Sequence, residues 1–221
     1  VIGSYKNEYI YSSLGTDIMD GAGNSTSDNP ADLMNFQFGD TVTYTRSNAG
    51  INVDLSTGSA SGGHAENDQL TNIENIQGSE FDDIIIGDSE NNALEGNSGN
   101  DTLRGLAGND YFGSSLGIDI IEGGTGNDHL FYNVGYLGVD EIEDDIVDGG
   151  DGYDTIQFNS QILNISNFNF SNIEEIKLGD MDYTFTFTAQ DVIDITDANN
   201  TLAITTEFGS NISLAGENWV Y

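Results

Sequence analysis

Acidic and amide side chains recur every nine residues through the middle of the chain, between Gly78 and Phe131. They occupy the sixth position of consecutive nine-residue blocks and are Asp83, Asn92, Asp101, Asp110, Asp119 and Asp128. Carboxylate and amide oxygens are the hard donors that a calcium ion takes from proteins, with about six to eight in its shell. These residue types suit a calcium ion, whereas magnesium would fit less well.

The blocks that carry these side chains read GSEFDDIII, GDSENNALE, GNSGNDTLR, GLAGNDYFG, SSLGIDIIE and GGTGNDHLF. Position one is glycine in every block except the fifth, and position eight is always a large apolar residue. Glycine permits the left-handed backbone angles of a tight turn, and one inward apolar residue per block suits the thin core between two sheets. A short fixed period of this kind is typical of a solenoid.

This pattern resembles the RTX family of calcium-binding parallel β-rolls. The resemblance implies an all-β fold, a right-handed parallel β-roll (β-solenoid) of GGxGxDxUx nonapeptide repeats with β-strand caps at both ends. It also implies that the first six residues of each block form a metal-binding turn and the last three a short strand. The turn residues that it adds to the position-six ligands are Gly96, Gly99, Gly105, Gly108, Gly123 and Gly126.

Two blocks should make one coil, so that residues eighteen apart stack at the parallel-strand spacing of roughly 4.8 Å. Asp83, Asp101 and Asp119 would then form one column, and Asn92, Asp110 and Asp128 the other. Neighbouring carboxylates at that distance repel by up to about 3 kcal/mol at an effective dielectric of about 20. We expect several Ca²⁺ ions between successive turns to remove that cost; the alternative is a merely solvated acidic surface.

The sequence suggests three segments. Residues 1–77 are predicted to hold a degenerate repeat and an N-terminal β cap, because SSLGTDIMDG nearly repeats SSLGIDIIEG and so places Asp17 where Asp119 sits. A calcium site near Asp17 and Asp32 and a metal-free capping loop remain equal alternatives. TVTYT and INVDL alternate as half-buried strands, followed by the glycine and serine loop STGSASGGHAEND.

Residues 78–158 are predicted to be the calcium-binding roll, interrupted by an exposed acidic insertion at 132–148. GGDGYDTIQF then restores the motif and adds Gly149, Asp151 and Asp154 to the candidate ligands. Residues 159–221 are predicted to be a C-terminal β cap, since TFTFT and TLAIT alternate strictly. The segment NIEEIKLGD there resembles the earlier NIENIQGS, so we expect the two segments to have the same structural role at opposite ends of the roll.

The composition excludes some classes of function. With 221 residues, a net charge of -34 and only four basic residues, the chain is too acidic to bind nucleic acid. It has no cysteine, no apolar stretch that could span a membrane and no charged-then-apolar leader. The resemblance implies a secreted or cell-surface bacterial protein exported by type I secretion machinery, which reads a C-terminal signal.

The sequence predicts no enzyme, because it contains no HExxH, GxSxG or GKS/T motif and its two histidines suggest no triad. We expect a calcium-binding module that folds outside the cell as a structural part of an adhesin or toxin. The alternative is a polysaccharide-binding accessory module of a secreted alginate-modifying enzyme, such as a mannuronan C5-epimerase, which would contact a polysaccharide or cell-surface glycan. An ice-binding solenoid is excluded because position seven carries no threonine ladder.

Overall fold

The computed structural model describes residues 9–21, 39–114, 116–132, 145–158, 169–178, 184–187, 195–196, 201–206 and 211–214. Within these ranges the chain is all-β apart from a short 3-10 turn at Gly63–Ala65 and one helical residue at 195. No helix in the described ranges is long and apolar enough to cross a membrane.

Most of the described strands belong to two sheets of nine strands each. Sheet A contains β2 (Ile18–Asp20), β4 (Asn52–Asp54), β5 (Ser59–Ser61), β6 (Gln69–Thr71), β8 (Ile84–Ile86), β10 (Thr102–Ala107), β12 (Ile120–Thr125), β14 (Ile146–Asp151) and β16 (Asn169–Ser171). Sheet B contains β1 (Tyr9–Tyr11), β3 (Thr41–Thr43), β7 (Asn75–Gln77), β9 (Ala93–Glu95), β11 (Tyr111–Ser114), β13 (His129–Tyr132), β15 (Thr155–Phe158), β17 (Glu175–Leu178) and β19 (Ala203–Thr206).

Consecutive strands of the repeat alternate between the two sheets, and each strand pairs with the one two blocks away. Thr102 in β10 is in register with Ile84 in β8 on one side and with Ile120 in β12 on the other. Every pairing in the two sheets is parallel except those of β5 with β4 and β6. Two blocks therefore make one coil, and the predicted all-β parallel β-roll is confirmed.

The core lies between the two sheets and consists of the position-eight side chains. Those of the six regular blocks are all fully buried, namely Ile85, Leu94, Leu103, Phe112, Ile121 and Leu130. Burying a side chain of this size contributes about 1.5–3 kcal/mol, so the period that fixes position eight also fixes the coil register. Val147 and Ile156 continue the same row beyond the regular blocks.

The N-terminal segment continues both sheets. β3 and β4 lie within the predicted strands, and their inward residues Val42 and Val53 are fully buried. The predicted loop between 56 and 68 contains β5, because that strand turns back antiparallel beside β4. Asp32 lies outside the described residues. The boundary between cap and roll at residue 77 stays a prediction, since sheet pairing runs through it.

Strands of the roll reach into both ends of the predicted insertion at 132–148, whose bounds stay a prediction. Tyr132 belongs to β13, and residues 146–148 belong to β14, whose inward Val147 is buried. Asp145 is buried rather than exposed, because it stacks on the coil below. Beyond residue 158, β16, β17 and β19 extend the two sheets, while β18 (Thr184–Phe187) and β20 (Asn211–Leu214) pair with each other.

Candidate metal centre

The position-six side chains form two columns along the edges of the roll, where the chain crosses from one sheet to the other. All are buried although all are polar, and each is at most 2% exposed. The first column runs through Asp83, Asp101, Asp119 and Asp145, and the second through Asn92, Asp110, Asp128 and Asp154. The parallel pairing of the neighbouring strands holds each column in register.

One oxygen of each carboxylate is used by a neighbouring coil. Asn92 N–H donates to Asp110 Oδ1 at 2.8 Å, and Asp110 N–H donates in turn to Asp128 Oδ1 at 2.8 Å. The same bond joins the other pairs of both columns at 2.7–2.9 Å. Each position-six side chain therefore satisfies a backbone donor that has no sheet partner within its turn.

Among the position-six carboxylates, four have a second oxygen without a hydrogen-bond partner. These buried atoms are Oδ2 of Asp101, Asp110, Asp128 and Asp154. A buried acceptor without a donor costs about 1–3 kcal/mol, and native structures rarely leave such a group without a water or an ion. The four oxygens thus point to a ligand that this chain's own side chains do not supply.

Backbone carbonyls surround the same positions because position one is glycine. A methyl group added to Gly105 would stand 2.1 Å from Asp110 Oδ2 and 2.6 Å from the Gly123 carbonyl of the next coil. At Gly123 the corresponding distances are 2.4 Å to Asp128 Oδ2 and 2.3 Å to the next carbonyl, that of Gly149. Any residue other than glycine would place its Cβ against both the carboxylate oxygen and the carbonyl.

The position-four glycines show a second close approach. Gly99, Gly108, Gly117 and Gly126 have φ between +119° and +134°, which other residues rarely adopt. A Cβ on Gly126 would lie 1.7 Å from the carbonyl oxygen of Gly108 in the coil below. The turns therefore stack as bare backbone, and their oxygens face the neighbouring coil without a side chain between them.

Burial raises the pKa of the column carboxylates. The pKa of Asp101 and that of Asp110 rise to about 8, that of Asp154 to about 7 and that of Asp128 to about 6. Desolvation is the largest cause for all four, and the backbone N–H donors lower the pKa in part. Desolvation therefore raises the pKa of these carboxylates more than their mutual repulsion does, although the sequence suggested repulsion as the main effect.

The first two turns differ from those that follow. Ser79 donates its N–H to Asp83 Oδ2 at 2.6 Å and its hydroxyl to Asp83 Oδ1 at 2.7 Å. Asp88 N–H donates to Asn92 Oδ1 at 2.8 Å. Both predicted ligands thus accept the backbone N–H of the second residue of their own turns.

A second ladder at position five was missed by the sequence analysis. Asn109 N–H donates to Asn91 Oδ1 at 2.7 Å, while in the adjacent column Asn92 N–H donates to Asp110 Oδ1. The two ladders therefore run in opposite directions between the same two coils. Position-five bonds of 2.7–2.9 Å recur from Asp82 to Tyr153. The asparagines before the aspartates were the available signal.

Three further residues that were predicted as calcium ligands are Asp17, Asp151 and Gly149. Asp17 is half-buried and is held by Ser13 from its own turn, and its N–H donates to Asp68 Oδ1 at 2.7 Å. The Asp151 side chain is exposed at the outside of its turn. A Cβ added to Gly149 would meet Asp154 Oδ2 and the Asn172 carbonyl, as one added to Gly105 would meet Asp110 Oδ2 and the Gly123 carbonyl.

Asp145 is a column residue that the sequence analysis did not select. Its Oδ1 accepts the N–H of Asp119 at 2.7 Å, and its Oδ2 accepts the hydroxyl of Tyr132 at 3.1 Å. Counting back from Gly149 places it at position six of a block 140–148, with Val147 at position eight. That register was visible in the sequence as DDIVDGG.

The donors around the four oxygens are all oxygen atoms, which fits a hard, flexible cation such as calcium. No group of three His, Cys, Asp or Glu side chains converges as a metal site in the described part of the chain. A site here would therefore combine one or two carboxylates with carbonyls of the glycine turns. Such mixed donor sets are usual for calcium and unsuited to a soft metal.

Comparison with protein families agrees with this geometry. The model of the RTX calcium-binding nonapeptide repeat matches in four copies, over residues 73–112, 114–135 and 143–157. The matched ranges include both columns from Asp83 to Asp154, and with them residues 143–148 of the block that ends in Asp148. No curated protein matches the chain significantly.

Proposed function

The chain contains an RTX calcium-binding repeat domain, and from that premise we propose that its two carboxylate columns bind several calcium ions and that this binding drives folding. The observation that carries the proposal is the set of four buried carboxylate oxygens without a donor, at Asp101, Asp110, Asp128 and Asp154. All four belong to blocks with glycine at position one, and all four face a backbone carbonyl or a glycine turn.

The ligands of the ions would be these four aspartates and the backbone carbonyls of the predicted turn glycines. A bound calcium ion supplies two positive charges and accepts irregular sets of oxygen ligands. Asp119 lies in the column of Asp101, and its Oδ1 accepts the N–H of Asp101 at 2.9 Å. Asp83 and Asn92 contribute to the ladders, while the hydrogen bonds within their own turns support a structural part for them.

Ion binding and folding are coupled because the columns exist only in the coiled chain. Ligands that are assembled by folding turn binding free energy into folding free energy. Without calcium, the buried carboxylates must lose their water or take up protons, as their raised pKa values indicate. The coil is therefore disfavoured at the low calcium of a cytosol and favoured outside the cell.

This coupling suits export in an unfolded form. We infer a structural part of a secreted or surface-attached bacterial protein of adhesin or toxin type, carried by type I secretion machinery and without catalysis of its own. The net charge of -34 supports this, since it opposes collapse before the ions are met.

The test is far-ultraviolet circular dichroism during a calcium titration that starts from chelated protein, with magnesium as the control. We expect a cooperative gain of β signal in calcium and none at the same magnesium concentration. A protein fully folded in chelator would overturn the coupling. Retention on an alginate column in calcium would instead favour the polysaccharide-binding alternative.

A further inference from the structure

Two corners of the roll are built differently from the calcium turns. A chain crossing from β8 in sheet A to β9 in sheet B uses the six residues 87–92. The crossing from β6 to β7 uses only Asn72, Ile73 and Glu74, and that from β16 to β17 uses only Asn172, Ile173 and Glu174. Both corners therefore read Asn-Ile-Glu and are half the length of the repeat turn.

The asparagine makes the bend in each corner. Asn72 and Asn172 have φ of +52° and +53°, the left-handed conformation that asparagine tolerates best after glycine. Asn172 Nδ2 donates to Asp148 at 2.6 Å, and Asn72 Nδ2 donates to Asp20 at 2.9 Å. The side chain thus anchors the corner to position nine of the preceding coil.

The isoleucine fills the interior of the corner. Ile73 and Ile173 are both buried and belong to the same hydrophobic cluster as the position-eight residues. The large apolar side chains of the six-residue turns, such as Phe81, Leu106 and Ile118, are exposed instead of filling the interior. The corner is stabilised by apolar burial where the turn offers oxygen atoms.

The glutamate completes the carboxylate column. Glu174 Oε2 accepts the N–H of Asp154 at 2.8 Å, just as Asp128 Oδ1 accepts the N–H of Asp110. Glu74 Oε2 accepts the N–H of Asp40 at 2.8 Å at the other end of the same column. The extra methylene of glutamate compensates for the shorter corner, and neither glutamate has a buried oxygen without a partner.

From these contacts we propose that the Asn172–Glu174 corner is a metal-free replacement for a calcium turn, and that Glu174 is the positioning residue that holds Asp154 in place to bind the last calcium ion of its column. Asp154 keeps a buried oxygen without a donor, and a Cβ on Gly149 would meet both that oxygen, at 2.7 Å, and the Asn172 carbonyl, at 2.1 Å. The corner thus defines the end of the ion-binding coils. The inference rests on the proposed calcium function.

The test counts calcium ions by isothermal titration of chelator-cleared protein, with wild type, Glu174→Ala, Glu174→Gln and Glu175→Ala. Glu175 is the matched control, because it lies one residue away and pairs with Lys177 outside the column. Glu174→Ala should weaken one ion by about 10- to 100-fold, as loss of a ligand-orienting partner does. Glu174→Gln keeps a carbonyl acceptor for Asp154 N–H and should restore that ion.

The outcomes separate this inference from the proposed function. Absence of calcium binding by the wild type would overturn the proposed function itself. Normal wild-type binding with the same ion number and affinities in Glu174→Ala and Glu175→Ala would overturn only the role of Glu174. If Glu174→Ala does not fold in saturating calcium, Glu174→Asp decides: its shorter side chain should also lose the ion, and retention with wild-type affinity would overturn the inference.

Discussion

Asp119 N–H donates to Asp145 Oδ1 at 2.7 Å, although the two residues are 26 positions apart in the chain. The other bonds of that column, from Asp83 to Asp101 and from Asp101 to Asp119, join residues eighteen apart. The column therefore continues across the interruption in the repeat without a missing step. Its continuity depends on a backbone donor and a carboxylate acceptor rather than on a constant sequence period.

Asp145 is expected to stabilise the coil without binding an ion, because Tyr132 already occupies its second oxygen. Asp145→Ala leaves the buried N–H of Asp119 without an acceptor and should lower the free energy of unfolding by about 1–3 kcal/mol. Asp145→Asn keeps the acceptor and should lower it less. Denaturant unfolding in saturating calcium measures both, and equal losses in the two variants would argue against the ladder.

Asp110 is expected to be a calcium ligand through its buried Oδ2. Asp110→Asn preserves the acceptor for Asn92 N–H but removes the charge, so the calcium concentration at the folding midpoint should rise by about tenfold or more. Asp110→Ala should raise it further, since the ladder bond is lost as well. Glu90→Gln, which removes an exposed charge, is the control, and an unchanged midpoint in the Asp110 variants would refute the assignment.

The calcium-free protein is expected to lose stability as the pH rises from 5 to 9. The folded-state pKa of Asp128, Asp154 and Asp110 is raised to about 6, 7 and 8, above the unfolded value of about 3.9. Groups with raised pKa stabilise the fold below their unfolded pKa, and that contribution disappears as the pH passes the folded pKa.

Circular dichroism of calcium-free protein at several pH values between 5 and 9 tests this sign. The β signal should be larger at pH 5 than at pH 9, and the calcium midpoint should fall as the pH increases, because fewer protons compete with the ion. A β signal that grows with pH in the absence of calcium would contradict the burial of protonated carboxylates.

Gly126 is expected to be irreplaceable in its turn. Its φ of +134° alone makes Gly126→Ala cost about 1–3 kcal/mol, and the added Cβ would also clash with the Gly108 carbonyl. Gly113→Ala is the matched control, because the nearest atom to its Cβ lies 3.4 Å away, on the Glu95 side chain. Thermal unfolding in calcium should separate the two variants, and similar midpoints would contradict the stacked-turn geometry.

The nine-residue period was sufficient to predict the core and the coil register, since position eight must point inward in every block, as Leu103 and Phe112 do. The bonds of the ladders could not be predicted beyond the hint of the position-five asparagines, because the partner of a turn N–H depends on how two coils lie against each other. The hydrogen bonds from Ser79 to Asp83 within one turn could not be predicted for the same reason. Glu174 was not recognised because its corner is three residues shorter than the repeat.

Anomalous X-ray diffraction from crystals grown in calcium tests directly whether ions occupy the two columns. We expect anomalous peaks beside Oδ2 of Asp101, Asp110, Asp128 and Asp154, and none within the Asn72–Glu74 or Asn172–Glu174 corners. A folded roll in saturating calcium with water, or with nothing, at those four oxygens would contradict this expectation.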